Sequence, residues 1–157
     1  MKGERRSWLL LAAVTLLAIG GGVFLLRPAD RPAAGLADPN DAALVALGGQ
    51  IYAAECAACH GARLEGQPEW RRALPDGGRP APPHDETGHT WHHADDLLFG
   101  ITKFGGQAFS PAGYDNRMPA FEDRLTDRQI EAALAYIKST WPDRIRQQQR
   151  RISASAP

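Results

Sequence analysis

The chain has 157 residues, and its 18 Lys and Arg balance its 18 Asp and Glu. That length suits one domain with appendages. The balanced charge carries no global bias towards nucleic acid, so docking surfaces must be local. Two cysteines alone do not fix the redox compartment.

Residues 1–7 carry Lys2, Arg5 and Arg6 against Glu4, and Trp8 to Leu26 follow without a charge. That run is long enough to cross a bilayer as a helix. The basic residues before it predict a cytoplasmic N-terminus. A cleaved signal peptide is the competing reading. The nearest small-x-small site, Gly35-Leu36-Ala37, lies well beyond Leu26, which favours an uncleaved signal anchor in residues 1–26. Either reading exports the chain beyond residue 27. Residues 27–40, with three prolines and no apolar period, read as a semi-rigid linker.

A helix is predicted over 41–58, capped by Asp38 or Asn40, with Ala43, Leu44, Leu47, Ile51 and Tyr52 as its apolar face. Gly48 costs such a helix about 1 kcal/mol relative to Ala. The helix runs into Cys56-Ala57-Ala58-Cys59-His60, a C-x-x-C-H string, which is the attachment signal for a c-type haem. Two thiols at this spacing can each close a thioether to a haem vinyl group, and the next residue places an imidazole under the iron. A zinc site would need a second ligand pair, and a thioredoxin-like pair would need a βαβ context. The chain has no further cysteine, and the flanks read as helix.

Gly61 to Pro83 is rich in Gly, Pro and Arg and reads as a loop. His84 to His93 holds four of the five histidines: His84, His89, His92 and His93. One reading is a surface loop, with Trp91 and one or two histidines bonding a haem propionate, since an indole N–H only donates. The others are a second metal site on these imidazoles and a pH-sensitive surface. A helix is predicted over 94–104, with Asp95 and Asp96 in its first turn and Leu97, Leu98, Ile101 and Phe104 as an apolar stripe. A polar loop leads to Met118, the only methionine besides the initiator. Thr126 to Gln129 is a capping box that opens a last helix running to about Thr140, with Pro142 as its stop. Residues 143–157 read as a basic polar tail, solvated or frayed, with anionic lipid headgroups as an alternative contact.

Two separated motifs, Cys56 to His60 and Asn116-Arg117-Met118-Pro119-Ala120-Phe121, make residues 41–142 resemble the class I cytochrome c family, here of a membrane-anchored bacterial type. The resemblance implies a mostly α cytochrome c fold, with first and last helices crossing and loops wrapped round one covalent haem c, carried on an N-terminal transmembrane helix. Gly48 and Tyr52 match the family's first helix, where the glycine lets the last helix cross closely. Ala133, Tyr136 and Ile137 match the surface it meets. The resemblance further implies Cys56 and Cys59 as thioether residues, His60 and Met118 as axial ligands, and a proline carbonyl, from Pro82 or Pro83, bonding the far nitrogen of His60. Trp91 matches the family's propionate-bonding aromatic. A thioether ligand favours ferrous iron and raises the potential.

Two axial ligands leave no open position for substrate. The expected function is therefore one-electron transfer and not catalysis, in a bacterial inner-membrane protein whose haem domain lies in the periplasm. Expected partners are a respiratory complex, a terminal oxidase or a periplasmic dehydrogenase or reductase, with no nucleic acid. Two alternatives stand: a haem-based ligand sensor, if the Met118 bond opens, and a copper-linked redox protein using the His84 to His93 loop.

Overall fold

The structure is a computed structural model that describes residues 37–156. The predicted anchor over Trp8 to Leu26, and the linker as far as residue 36, lie outside the described residues. The elements in order are α1 (Ala42–Ile51), a π-helical turn (Tyr52–Cys56), α2 (Ala57–His60), a 3-10 turn (Thr90–His92), α3 (Asp95–Phe104), a second 3-10 turn (Gly106–Phe109), α4 (Asp127–Ser139) and α5 (Asp143–Ser155). The fold is mostly helical, as expected.

α1, the π turn and α2 run on as one helix from Ala42 to His60. Its cap is Asp41 and not Asp38 or Asn40. The Asp41 carboxylate accepts from the Ala43 and Leu44 N–H groups, both at 3.0 Å. Asp38 instead bonds Asn40 within the preceding turn. The 42–60 helix is long and apolar enough to cross a membrane by length and composition. Leu44, Gly48, Tyr52 and His60 are nonetheless buried on one side of it within the domain, which gives its apolar residues a place in the domain core.

The crossing of α1 with α4 is the most extensive contact between elements among the described residues. It depends on Gly48. A Cβ placed there would overlap the Ala132 carbonyl oxygen and come within 2.8 Å of the Tyr136 Cβ. Ile130, Ala132 and Ala135 of α4 are fully buried, so small side chains let the two backbones approach. The capping box opens α4 as predicted, with Thr126 N–H donating to Gln129 Oε1 and Gln129 N–H to Thr126 Oγ1.

Residues 143–155 differ from expectation. They form a docked helix, not a tail, so the domain continues past residue 142. Pro142 ends the α4 segment and also starts α5, since proline is tolerated where a helix begins. Ile145 and Gln149 are buried. The Gln149 amide donates to Asp95 Oδ1 at 2.6 Å and to Ser153 Oγ at 2.9 Å. Lys138 Nζ reaches both Asp95 oxygens at 2.8 Å. That pair is about 5% exposed on each side, and a buried charge persists only when paired and hydrogen-bonded. Asp95 thus joins α3, α4 and α5. The segment looks like a tail because its inward stripe is thin and has a glutamine at its centre.

The buried apolar residues form two clusters. One gathers Leu44, Leu98, Phe121, Leu125, Ile130 and Leu134, with Met118 packed against it. The other gathers Tyr52, Leu64, Ile137, Trp141 and Ile145, with Cys56 and Trp91 packed against it.

Gly48→Ala should destabilise the haem-loaded protein by about 3 kcal/mol, because overpacking against backbone cannot relax. Gly49→Ala meets Tyr136 only at ordinary contact, 3.5 Å, and should be neutral or stabilising by up to ~1 kcal/mol through helix propensity. Urea midpoints check both. Equal losses would show that the crossing does not depend on Gly48.

Candidate haem-attachment site

The site begins where the long helix stops being regular. Through Tyr52–Cys56 the hydrogen bonds skip one residue further than in an α-helix. Such π turns occur mostly as single insertions at functional sites. Cys56 and Cys59 follow as free thiols, one partly buried and one exposed. Burial, then the Glu55 charge, pushes the Cys56 thiol up to about 11. A disulfide-exchange pair needs the opposite, a thiol poised as thiolate. The local chemistry therefore disfavours a thioredoxin-like role.

His60 closes the helix and is 8% exposed. The Tyr52 hydroxyl, itself buried, donates to the Gly61 carbonyl at 2.9 Å and holds this helix end in place. His60 Nδ1 lies 2.8 Å from the Pro82 carbonyl oxygen. A carbonyl only accepts, so Nδ1 carries the proton and Nε2 keeps its lone pair. Burial lowers the His60 pKa, opposed by the Pro82 bond. A neutral imidazole with one nitrogen tied to a carbonyl and the other bare is the state that ligates metals.

Backbone pairing of the loop delivers Pro82 to this place. Gly66 N–H bonds the His60 carbonyl, Gln67 N–H bonds Ala81, and His84 N–H bonds Leu64, all at 2.8–2.9 Å. Gly66 adopts φ +67, and a side chain there would overlap Pro83 N. Pro83 has a different task. Its carbonyl faces the Thr90 hydroxyl at 3.5 Å. Of the two candidate prolines, Pro82 alone faces His60.

Met118 is partly buried. Its carbonyl accepts from Gly106 N–H at 3.0 Å, and its own N–H donates to Asn116 Oδ1 at 3.1 Å. The first bond fixes its backbone against the end of α3, and the second holds it within its own loop. Arg117 beside it bridges Asp76 at 3.0 Å and Asp115 at 2.9 Å, tying the Met118 loop to the loop after His60.

The Trp91 indole N–H donates to the Glu86 carbonyl at 3.3 Å, and its ring stacks on His92. Sequence reasoning misses a cationic cavity of about 240 Å³ lined by Trp70, Arg71, Arg79, Pro82, His89 and Tyr114. Arg71 lies over the Trp70 ring and Arg79 over the Tyr114 ring. Interleaved Arg and aromatic residues in this loop are the signal that could have found it.

The four loop histidines do not converge. His84 stacks on His60 with ring centroids 3.9 Å apart, His89 on Trp70 and His92 on Trp91. His93 meets His89 edge to face at 5.4 Å. Among the described residues, no group of three or more His, Cys, Asp or Glu could hold a metal ion. The rings are spent on aromatic packing.

Two thiols and a tautomer-fixed imidazole on one helix end make a haem-attachment site, and the comparisons agree with that chemistry. Residues 45–141 match the family described as Cytochrome c, and the chain belongs to that family. Its cofactor is covalent c-type haem, and its role is haem-based electron transfer. A curated relative, the cytochrome bc1 complex cytochrome c subunit of Mycobacterium leprae (strain TN), is 38% identical over 60 residues, which is 38% of this chain and 20% of the relative. The chain thus spans about a fifth of that relative's length. No solved structure matches.

A pH dependence arises from the buried histidines. Burial, then the neighbouring His60 and His89, holds His84 well below its ordinary value, and His89 and His93 shift the same way. Unfolded histidine titrates near ~6.5. Below that pH the unfolded chain binds more protons than the folded one, so stability is full above ~6.5 and is lost as pH falls. The urea midpoint of the haem-loaded protein should fall from pH 7 to 5. His84→Phe should shallow the slope by at most about 1.4 kcal/mol per pH unit. A midpoint that rises on acidification would contradict the account.

Proposed function

We propose that this protein is a closed, six-coordinate one-electron carrier. The haem supplies an iron that cycles between ferric and ferrous states. The Cys56 and Cys59 thiols would hold the haem, each by adding sulfur to one carbon of a vinyl double bond and hydrogen to the other, which needs no oxidant. His60 would hold the iron through its bare Nε2. Met118, whose backbone is held by Gly106 and Asn116, would supply a thioether as the second ligand. The observation that carries this reading is the His60 to Pro82 bond beside two free thiols. It presents a neutral, oriented imidazole where the attachment string ends.

The cationic cavity beside Pro82 supports a second assignment. Arg71, Arg79 and the Tyr114 hydroxyl supply donors for the haem propionates, the role that the sequence suggests for Trp91. Arg suits carboxylates because its donors form a rigid fork.

The haem domain is proposed to work at a membrane on its N-terminal anchor, facing the periplasm of a bacterial inner membrane. The partial match to a bc1-complex subunit supports a respiratory complex as partner over a soluble dehydrogenase or reductase.

Visible spectra of the full chain, matured with haem-attachment machinery, test the coordination. A low-spin spectrum, a ferric methionine-to-iron band and no response of the reduced form to carbon monoxide are expected. Met118→Ala should bind carbon monoxide and lose a sizeable part of the ~0.8 V range that axial ligands span. Prompt binding by the unsubstituted protein would instead make it a ligand sensor.

A further inference from the structure

His84 is the one loop histidine turned onto the attachment site, and nothing in the proposed electron transfer uses it. Its ring stacks on His60 with an interplanar angle of 23° and centroids 3.9 Å apart. Four further contacts hold it there. Its N–H donates to the Leu64 carbonyl at 2.8 Å. Its carbonyl accepts the buried Trp141 indole N–H at 2.7 Å. Its Nδ1 lies 2.8 Å from Thr90 Oγ1. The Tyr52 ring meets it edge-on at 6.2 Å.

The His60 ring is therefore gripped twice by one short segment. The Pro82 carbonyl accepts the hydrogen bond from its Nδ1–H, and His84, two residues on, covers its face. The hydrogen bond alone constrains the ring weakly, because a carbonyl accepts over a broad range of directions. A flat ring against its face removes the remaining rotation, since swinging the imidazole about its Cβ–Cγ bond would drive it into His84. An axial imidazole donates π density in a direction fixed by its plane, so that plane orders the iron d orbitals of similar energy.

We propose that His84 is a positioning residue that sets the plane of the His60 imidazole, and through it the electronic anisotropy of the haem iron. This rests on the reading of His60 as an iron ligand. The role belongs to the flat face of His84 and does not require its nitrogens to bind metal.

Electron paramagnetic resonance and proton NMR of the ferric full-length holoprotein test it. His84→Ala and His84→Leu should shift the g values or add a second set, and change the order of the haem-methyl resonances, while keeping the ferric methionine-to-iron band. His84→Phe restores a flat ring and should return the pattern towards that of the unsubstituted protein. Unchanged g values and methyl order in the Ala or Leu variant would overturn the proposal. If neither takes up haem, Thr90→Val decides, because it keeps His84 but removes the hydroxyl that steadies its ring. A moved pattern there supports the proposal, and an unmoved one overturns it. His60→Ala separates this from the underlying reading: a low-spin signal that survives it would show that His60 is not the ligand.

Discussion

The hydrogen bond from His60 Nδ1 to the Pro82 carbonyl is the constraint from which the site is organised. It does three things at once. It selects the tautomer, it leaves Nε2 bare, and it fixes where a flexible loop must end. The cost of burying an imidazole is kept low because the ring is neutral and its one N–H is satisfied. The loop after the attachment string can then vary in length, provided residues 60–67 and 81–84 pair and return Pro82 to the same point.

The helices serve this constraint from behind. Gly48 lets α1 press on α4, and Tyr52, one turn further, reaches past the helix end to the Gly61 carbonyl. Trp141, just beyond α4, ties the His84 backbone to the same scaffold. α5 adds a second layer through Gln149 and Asp95. The side-chain oxygen of that glutamine, Oε1, is buried with no hydrogen-bond partner among the described residues. The sequence-distant ends of the domain thus converge on the loop that meets His60, and the loop inherits rigidity that its own glycines and prolines would not supply.

Local chemistry is legible in the residues themselves, whereas long-range placement is legible only where the family resemblance supplies it, as for Gly48 against α4. The C-x-x-C-H string, the capping box at Thr126 and the α3 boundaries each depend on residues within one or two helical turns. The cap of α1 falls one to three residues from its expected place, because Asp38, Asn40 and Asp41 offer similar side chains and only backbone geometry selects among them. Pro82 and Pro83 cannot be separated by sequence, because adjacent carbonyls point in different directions and loop pairing decides which one faces His60. The partner of the Trp91 indole, the Glu86 carbonyl, is likewise set by the turn of its own loop and not by spacing. The histidines suggest a ligand set by composition, whereas aromatic stacking divides them among separate partners.

The π turn and the glycine crossing also bear on how the protein is made. The thiols lie at the end of the first helix of the domain, while the surface that covers this helix belongs to α4, near the other end of the chain. During vectorial synthesis or export the attachment string emerges long before its packing partner, and pairings so distant in sequence form late. Until then no tertiary wall screens Cys56 or Cys59. The topology therefore leaves an interval in which both sulfurs stand open, and closure of the last two helices packs Cys56 against Ile137, Trp141 and Ile145 while Cys59 stays exposed.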